Sequence, residues 1–213
     1  MLLSIVVPVF NEEDNIQKFY TTVKDVLQTL DYDHEIIFVD DGSSDDSAGM
    51  LRYIGNQDPK VKVLLLARNF GHQLALTCGL DYAQGDAVIT MDGDMQHPPE
   101  LIPELVKHWE AGADVVRTIR DSTEDASWAK AFTSKYYYKV LNKLANVPIV
   151  EGGSDFRLMN RKSLETLKNL FTKRYPKLSE ISGFSSFSSL QDLIPEYKRK
   201  IPNPSIIGLS GPC

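Results

Sequence analysis

The chain has 213 residues, of which 42% are hydrophobic and 24% charged, which suits one globular domain with a sizeable core. Its formal net charge of −6 argues against nucleic acid as a partner, since a nucleic-acid-binding face is basic. The two cysteines form neither a metal-ligand pattern nor a disulfide framework, as is typical of a reducing compartment. No run approaches the roughly 18 apolar residues that a membrane span requires, so we expect a cytoplasmic chain without a transmembrane segment.

Strands and helices are predicted to alternate from the start of the chain. Apolar runs rich in β-branched residues predict five strands, at 3–9, 35–39, 61–66, 87–91 and 114–119. Helical spacing predicts helices at 16–30, before 55, at 71–83, at 99–109, at 128–145 and at 161–171, with an extended segment at 148–159. This alternation favours an α/β fold with a mainly parallel sheet flanked by helices. In such a sheet, ligands bind at the carboxyl ends of the strands.

The character of the chain changes near residue 175. Residues 179–189 are rich in serine with scattered phenylalanine, and residues 198–204 are basic and contain proline. Because no period is sustained there, we predict a weakly ordered C-terminal tail. The sequence therefore divides into a folded domain at 1–171 and a tail at 172–213.

Two carboxylates follow the fourth predicted strand. Asp92 and Asp94 flank a glycine, and the alternation of an extended segment lets both side chains point the same way. Like charges this close resist joint ionisation unless a cation joins them, and Gln96 adds a carbonyl oxygen. Hard oxygen ligands of this kind suit Mg²⁺ or Mn²⁺, with the other positions left to water and phosphate. The pattern predicts a divalent metal that holds a diphosphate.

Other interpretations of these three residues remain open. Asp-Gly is a common turn dipeptide, so residues 92–94 are compatible with a turn that binds nothing. A phosphohydrolase with Asp92 as nucleophile and Asp94 as acid also places aspartate after an apolar strand. An EF-hand is excluded, because its glycine and bidentate glutamate positions hold His97 and Pro103.

Five ordered motifs resemble those of one enzyme family. They are VVPVFNE at 6–12, VDDGSSD at 39–45, ARNFG at 67–71, DGDMQHPP at 92–99 and GGSDFR at 152–157. The set is similar to the family 2 glycosyltransferases of GT-A fold. The third and fifth motifs resemble the polyprenyl-phosphate glycosyltransferases, a group that includes dolichyl-phosphate mannose synthase and bactoprenol glucosyltransferase. Over residues 1–171, the resemblance implies a Rossmann-like catalytic domain. It also implies metal-dependent, inverting transfer of a sugar from a nucleotide to a polyprenyl phosphate.

The resemblance implies a site for a nucleotide sugar of the UDP-glucose or GDP-mannose type. Residues that would line its base and ribose are Pro8, Asn11 and Glu12. Asp41 would accept a hydrogen bond from the base, although Asp40 and Asp41 are also placed to cap a helix. Arg68 would hold the diphosphate, fix the loop of Asp92, or form a surface ion pair. Asp92, Asp94 and Gln96 would hold the metal, which neutralises charge on the departing nucleoside diphosphate.

The resemblance also implies an acceptor site. Arg120 would grip the acceptor phosphate, and Arg157 would share that task or pair with Asp155. Related enzymes use the carboxylate at the Asp155 position as catalytic base. A phosphate monoester, however, has its second pKa near ~6 and needs little deprotonation, so Asp155 is also placed to orient the acceptor or steady charge on the sugar. Only a hydroxyl acceptor would require Asp155 as a true base. The four histidines show no ligand spacing, and we interpret His97 as part of the loop structure beside the site and not as a catalyst.

The resemblance ends where the tail begins. Relatives usually continue with an Arg-rich segment, amphipathic helices and often two membrane spans, whereas this chain continues with the serine-rich tail. A truncated or frameshifted reading frame and a divergent protein both fit this departure. The lipid acceptor implies a peripheral position at the inner face of a membrane. The alternative to an active enzyme is a catalytically impaired module that binds nucleotide sugar only. The sequence indicates no oligomeric state.

Overall fold

The computed structural model of the chain describes residues 1–120, 153–174 and 206–211. The strands in these ranges are β1 Leu2–Val9, β2 Asp33–Asp40, β3 Val61–Leu65, β4 Ala87–Thr90, β5 Val115–Arg120, β6 Gly153–Asn160 and β7 Ile206–Gly211. The helices are α1 Glu13–Gln28, α2 Ser47–Gln57, α3 His72–Tyr82, α4 Ile102–Glu110 and α5 Arg161–Arg174, with a 3₁₀ turn at Pro99–Leu101 before α4. Within these ranges, no helix has the length and apolar character needed to cross a bilayer.

The seven described strands form one sheet in the order β3-β2-β1-β4-β6-β5-β7. Strand β1 pairs in parallel with β2 and β4, and β3 extends the sheet in parallel beyond β2. Strand β6 runs antiparallel to both of its neighbours, β4 and β5. The sheet is therefore mainly parallel, as predicted, and its one reversed strand begins at the edge where β1, β2 and β4 end.

The predicted elements agree with the observed ones to within a few residues over the described ranges. Helix α5 continues to Arg174, past the predicted domain boundary at 171. The predicted helix at 128–145 lies outside the described residues, as do residues 175–205 of the tail. Strand β7 lies in the segment predicted to be weakly ordered, and it pairs in parallel with β5. A six-residue run with two glycines carries little local strand signal, and its partner is the otherwise unpaired edge of β5.

Two hydrophobic cores cover the two faces of the sheet. Ile5 and Val7 of β1 pack with α1, α2 and α4, whereas Val6 points to the opposite face and packs with α3 and α5. Helix α3 approaches the sheet closely, because a Cβ at Gly79 would lie only 2.4 Å from Val6 Cγ1 and 2.9 Å from Val39 Cγ2. Close packing of α3 holds the first turn of this helix at the carboxyl edge of the sheet.

A buried carboxylate stabilises the opposite edge. Glu35, 5% exposed, lies near the start of β2. Its Oε1 accepts hydrogen bonds from Ser4 Oγ at 2.5 Å and from the Gln84 N–H at 2.7 Å, and its Oε2 lies 2.6 Å from Lys62 Nζ. Burial would raise the pKa of Glu35, but the hydrogen bonds from Lys62 and Ser4 outweigh it and hold that pKa below its usual value. This carboxylate ties three strands and a loop together.

Candidate active site

A cleft of about 450 Å³ opens at the carboxyl ends of β1, β2 and β4, beside the start of β6. Six residues predicted from the sequence line it: Pro8, Glu12, Asp41, Asp92, Asp94 and Asp155. The other lining residues are Val9, Phe10, Asn69, His72 and Gly93. Residues from all five motifs therefore meet at one edge of the sheet, where ligands bind in open α/β folds.

Each of the four strand-to-helix loops around the cleft has one residue with positive φ. They are Asn11 (55°), Gly42 (70°), Gly71 (99°) and Met95 (60°). Glycine adopts this conformation freely and asparagine tolerates it, but a methionine pays a steric penalty. Met95 directly follows Asp94, so the backbone is strained at the predicted metal loop, and such strain is concentrated at functional sites.

The loops after β1 and β2 are hydrogen-bonded into one wall. Asn11 Oδ1 accepts from the Ser44 N–H at 2.8 Å, and the Asn11 N–H donates to Ser43 Oγ at 2.9 Å. The Glu12 N–H donates to Ser47 Oγ, also at 2.9 Å. Asn11 therefore supports the wall, while its neighbour Glu12 lines the cleft. The predicted contact of Asn11 with a nucleotide stays a prediction.

Asp41 organises the loop that precedes α3. The side chain is buried, and its two oxygens accept hydrogen bonds from the N–H groups of Phe70 at 2.7 Å and Gly71 at 2.8 Å. The loop after β2 also touches the loop before α3 at Gly42, where a Cβ would lie 2.4 Å from the carbonyl carbon of Arg68. Each carboxylate oxygen keeps a second lone pair, so the predicted hydrogen bond from a base remains compatible with this role.

Two predicted site residues stand away from the cleft wall. Arg68 is exposed, and its guanidinium lies 4.7 Å from the centre of the Phe70 ring in a cation–π contact. The side chain of Gln96 is also exposed, and the backbone N–H of Gln96 donates to Asp94 Oδ1 at 3.0 Å. Neither belongs to the lining residues. Their predicted contacts with diphosphate and metal stay predictions.

Asp92 is mostly covered, but among the described residues no cationic group makes a short contact with it. Its side chain is 29% exposed, and two imidazoles face it, with His72 Nε2 at 3.6 Å from Oδ1 and His97 Nδ1 at 3.8 Å from Oδ2. Charge-assisted hydrogen bonds are about 2.7–2.9 Å long, so both contacts are weak. Burial raises the pKa of Asp92; the imidazoles oppose this, while Asp155 and Asp94 add to it. The carboxylate is held in an environment that favours a further cation.

Asp92 and Asp94 fit a divalent cation of the Mg²⁺ or Mn²⁺ type. Both line the cleft, both offer hard oxygen ligands, and a cation would offset the burial and the repulsion by Asp155 and Asp94 that raise the Asp92 pKa. In the described parts of the chain, no three or more His, Cys, Asp or Glu side chains form a metal-binding group. A two-carboxylate site leaves the remaining positions to phosphate oxygens and water, which is usual for Mg²⁺.

Asp155 projects from the start of β6 and is held on both oxygens. Its backbone carbonyl accepts from Thr90 Oγ1 at 2.5 Å, which ties β6 to the end of β4. Oδ1 accepts from Arg157 Nη2, and Oδ2 lies 3.4 Å from His72 Nε2. The contact with His72 lowers the pKa of Asp155. Arg157 adds to this lowering, whereas burial opposes it. A carboxylate with a lowered pKa is a weak general base near neutral pH.

The sequence analysis missed His72. Spacing among the four histidines matches no ligand set, yet His72 is the first residue of α3 and its imidazole lies between Asp92 and Asp155. The contact with Asp155 raises the pKa of His72. Asp92 adds to this rise, whereas burial opposes it. Its position directly after the ARNFG motif was the signal available, because that loop was already expected at the site.

Arginines lie next to Asp155 on the sheet. Arg157, 8% exposed, is opposite Arg117 in the register between β6 and β5. Burial, together with Arg157, lowers the pKa of Arg117, a residue that the sequence analysis did not select. Arg120 is the last residue of β5, and its side chain lies outside the described part of the chain. The predicted acceptor contacts of Arg120 and Arg157 stay predictions.

The sequence is similar to those of known glycosyl transferases. Residues 4–168 match the model of glycosyl transferase family 2. The chain is 39% identical over 206 residues to the bactoprenol glucosyl transferase of Shigella phage SfV, covering 88% of this chain and 67% of that protein. It is 43% identical over 178 residues to the prophage bactoprenol glucosyl transferase homolog of Escherichia coli K12, covering 81% and 58%.

Solved structures share the fold. Glucosyl-3-phosphoglycerate synthase from Mycobacterium tuberculosis, in complex with Mn²⁺, UDP and phosphoglyceric acid, matches with a TM-score of 0.65. The match covers 98% of this chain and 68% of that one at 19% identity. The mannosyltransferase PcManGT from Pyrobaculum calidifontis, in complex with GDP-Man and Mn²⁺, matches with a TM-score of 0.60 at 19% identity, covering 99% and 54%. These likenesses confirm the predicted GT-A fold.

The chain spans 53% to 68% of the length of eight curated relatives that it matches. The predicted resemblance to the polyprenyl-phosphate group is confirmed by the bactoprenol glucosyl transferases among them. On the family model, which covers more than half of its length, the chain belongs to the family 2 glycosyl transferases.

Proposed function

We propose that residues 1–171 form the catalytic domain of a glycosyltransferase that moves a sugar from a nucleotide donor to a polyprenyl phosphate. The observation that carries this proposal is the order of side chains along the cleft. Neighbouring strands β2, β1, β4 and β6 present Asp41, Glu12, the pair Asp92 and Asp94, and then Asp155. At about 4.8 Å between strands, the row spans roughly 14 Å.

A nucleotide sugar laid along this row meets suitable chemistry at each position. Its base and ribose lie against the wall that contains Pro8, Glu12 and Asp41. Its diphosphate lies at Asp92 and Asp94, and its sugar lies beside Asp155. The donor proposed is UDP-glucose, which the glucosyl transferases among the relatives support, with a GDP-mannose type donor as the other choice.

Asp92 and Asp94 would hold Mg²⁺ or Mn²⁺, with Gln96 as a further oxygen donor. When bound, the cation supplies a positive charge that neutralises the departing nucleoside diphosphate. The repulsion around Asp92 supports this assignment, as do the fold relatives described in complex with Mn²⁺. Both carboxylates line the same cleft, at the position proposed for the diphosphate.

The transfer we propose inverts the sugar carbon. An oxygen of the acceptor phosphate forms the new bond to C1 of the sugar while the bond from C1 to the diphosphate breaks, and its electron pair stays on the diphosphate. A phosphate dianion is already deprotonated, so Asp155 is assigned to orient the reactants and to steady positive charge on the sugar. Its lowered pKa supports that role over a general base. Arg120 and Arg157 would bind the acceptor phosphate.

A lipid acceptor would place the domain at the inner face of a membrane as a peripheral protein. The relatives named bactoprenol glucosyl transferase support this acceptor. The second candidate is an impaired module that binds nucleotide sugar and transfers it poorly, with residues 172–213 as a divergent tail. It is favoured by the lining of the cleft, which within the described residues includes no arginine or lysine that could bind an acceptor phosphate.

Calorimetry with UDP, UDP-glucose, GDP and GDP-mannose, each with and without Mn²⁺, tests donor binding. We expect Mn²⁺-dependent binding of one nucleotide series. Ligand at 100 times its dissociation constant should stabilise the fold by ~2.7 kcal/mol, a rise in melting temperature of roughly 5–10 °C. No binding of any nucleotide would contradict both candidate functions.

Transfer to undecaprenyl phosphate in detergent separates an enzyme from an impaired module. Sugar transfer at more than one turnover supports the enzyme, and binding without transfer supports the module. Hydrolysis of a generic phosphate monoester serves as the control for the phosphohydrolase interpretation. Hydrolysis of that ester without any nucleotide binding would contradict the glycosyltransferase assignment.

A further inference from the structure

The imidazole of His72 lies between two carboxylates that belong to successive positions in the cleft. Its Nε2 is 3.6 Å from Asp92 Oδ1 on the diphosphate side and 3.4 Å from Asp155 Oδ2 on the sugar side. We propose that His72 is a positioning residue whose Nε2–H holds the Asp155 carboxylate turned toward the donor sugar. The inference deepens the proposed function and rests on it for the location of the sugar.

Rigid structure delivers His72 to this place. Hydrogen bonds from Phe70 and Gly71 to the Asp41 carboxylate fix the two residues before it. Helix α3 starts at His72 itself and packs closely on the sheet at Gly79. The ring is therefore carried by a helix end that both the loop and the core hold in place, as a positioning group requires.

Asp155 has a competing arrangement that His72 opposes. Arg157 is buried beside it, and Nη2 of Arg157 already donates to Asp155 Oδ1. In the described part of the chain, Arg157 Nε is buried without a hydrogen-bond partner. A rotation of the Asp155 carboxylate would let Arg157 bind both oxygens through Nη2 and Nε, the bidentate geometry that arginine favours with carboxylates. That rotation would turn both oxygens from the cleft toward Arg157.

A donor on Oδ2 prevents this rotation. With Arg157 on one oxygen and His72 on the other, the Asp155 carboxylate is held across the end of the cleft. The effect needs an N–H at the right point and not a charge, because a neutral imidazole that carries its proton on Nε2 also donates. The 3.4 Å separation is long for a hydrogen bond, and such contacts often shorten when substrate binds.

Glutamine and asparagine, the two residues with amide side chains, provide matched substitutions for His72. The amide nitrogen of glutamine reaches the position of imidazole Nε2, whereas that of asparagine reaches only the position of Nδ1. His72→Gln therefore keeps the donor in place, and His72→Asn and His72→Ala remove it. His108→Gln, on helix α4 and outside the cleft, is the control for loss of a histidine.

Crystal structures of the ligand-free variants test the geometry directly. We expect Asp155 to pair with Arg157 through both oxygens in His72→Ala and His72→Asn, and to keep its present orientation in His72→Gln and His108→Gln. An unchanged Asp155 in His72→Ala would overturn the proposal. Melting curves accompany the structures, and because the His72 side chain is 41% exposed we expect all four variants to fold.

Calorimetry with Mn²⁺ tests the consequence for the donor. We expect affinity for UDP to change by less than about twofold in every variant, since UDP lacks the transferable glucose that Asp155 is proposed to contact. Affinity for UDP-glucose should fall about tenfold in His72→Ala and His72→Asn and stay near the unmodified value in His72→Gln. Equal losses for UDP and UDP-glucose, or a His72→Gln variant as weak as His72→Ala, would contradict positioning by an N–H donor.

The two experiments separate failure of this inference from failure of the proposed function. If the unmodified protein binds neither UDP nor UDP-glucose with Mn²⁺, the proposed function fails. The role of His72 is then decided by the orientation of Asp155 in the ligand-free variants, where rotation in His72→Ala supports it and no rotation overturns it.

Discussion

Two covered carboxylates at opposite ends of the same sheet have opposite surroundings. Glu35, near the start of β2, has partners at 2.5 to 2.7 Å on both oxygens. Asp92, after the end of β4, faces only imidazoles at 3.6 and 3.8 Å among the contacts described. Burial acts to raise the pKa of both, yet the pKa of Glu35 is lowered and that of Asp92 is raised.

The difference shows how one fold separates structure from function. A buried carboxylate with a full set of donors stabilises the elements it joins, because its charge is balanced where it lies. A covered carboxylate without such donors costs stability until a ligand brings the missing charge. Glu35 therefore belongs to the framework, and Asp92 belongs to the site. Each of the following experiments alters one side of this contrast.

The largest effect is expected at the site. Asp92→Asn or Asp94→Asn should lower the affinity for UDP in the presence of Mn²⁺ at least about 100-fold, or about 3 kcal/mol, because each removes a charged oxygen ligand. Calorimetry with UDP and Mn²⁺ measures the change, and Asp25→Asn on the exposed face of α1 is the matched control. Unchanged affinity in both site variants would contradict the metal assignment.

Removing the charge of Glu35 should weaken the framework instead. Glu35→Gln replaces a carboxylate oxygen by an NH₂ group that faces donors, so the free energy of unfolding should fall by about 2 kcal/mol. That corresponds to a melting temperature roughly 4–8 °C lower for a chain of this size. Binding of UDP with Mn²⁺ should not change. Asp33→Asn, in an exposed pair with Lys60, is the control, and loss of nucleotide binding in Glu35→Gln would break the contrast.

Replacing the Asp92 carboxylate by an amide should stabilise the ligand-free protein, whereas the corresponding change at Glu35 destabilises it. Asp92→Asn removes a charge that is covered and repelled by Asp94 and Asp155, so the unfolding free energy should rise by about 1 kcal/mol. Thermal melting without metal measures this, with an expected rise of roughly 2–4 °C. A lower melting temperature would show that the imidazole contacts of Asp92 already compensate its charge.

The smallest effect is a pH dependence. The pKa of Glu35 is lowered in the folded state, so its contribution is complete above the ordinary glutamate pKa near ~4.3 and is lost as pH falls through the folded value. The difference in unfolding free energy between the unmodified protein and Glu35→Gln should be constant from pH 8 to 6 and shrink below about pH 4. Urea unfolding at each pH measures it, and a difference that grows in acid would contradict the role of this charge.

Local patterns were sufficient for most of the secondary structure. Strand β1 appears in the sequence as a nearly continuous apolar run, because both faces of this central strand are buried. The loops at the carboxyl edge could be located for the same reason, since each directly follows such a run. Asp92 and Asp94 were therefore expected at this edge from their position after the fourth strand, and the structure brings both to the cleft wall.

Strand pairing could not be predicted in the same way. Strand β6 is inserted in reverse between β4 and β5, and β7 is added beside β5. Both facts depend on partners that are distant in the sequence, and no period within a segment encodes the direction of its neighbour. The reversal matters for the site, because it brings the start of β6, with Asp155, to the edge where β1, β2 and β4 end.

The sequence by itself determined which residue types stand at the strand ends, the family resemblance, and the set of carboxylates available for chemistry. Only the tertiary structure decided which carboxylates are compensated. Glu35 and Asp92 are both acids beside apolar strands in the sequence. In the structure Glu35 contacts Lys62 and Ser4, whereas Asp92 lines the cleft. His72 likewise acquires its place from the packing of α3, because desolvation and hydrogen bonding act through space between residues far apart in the chain.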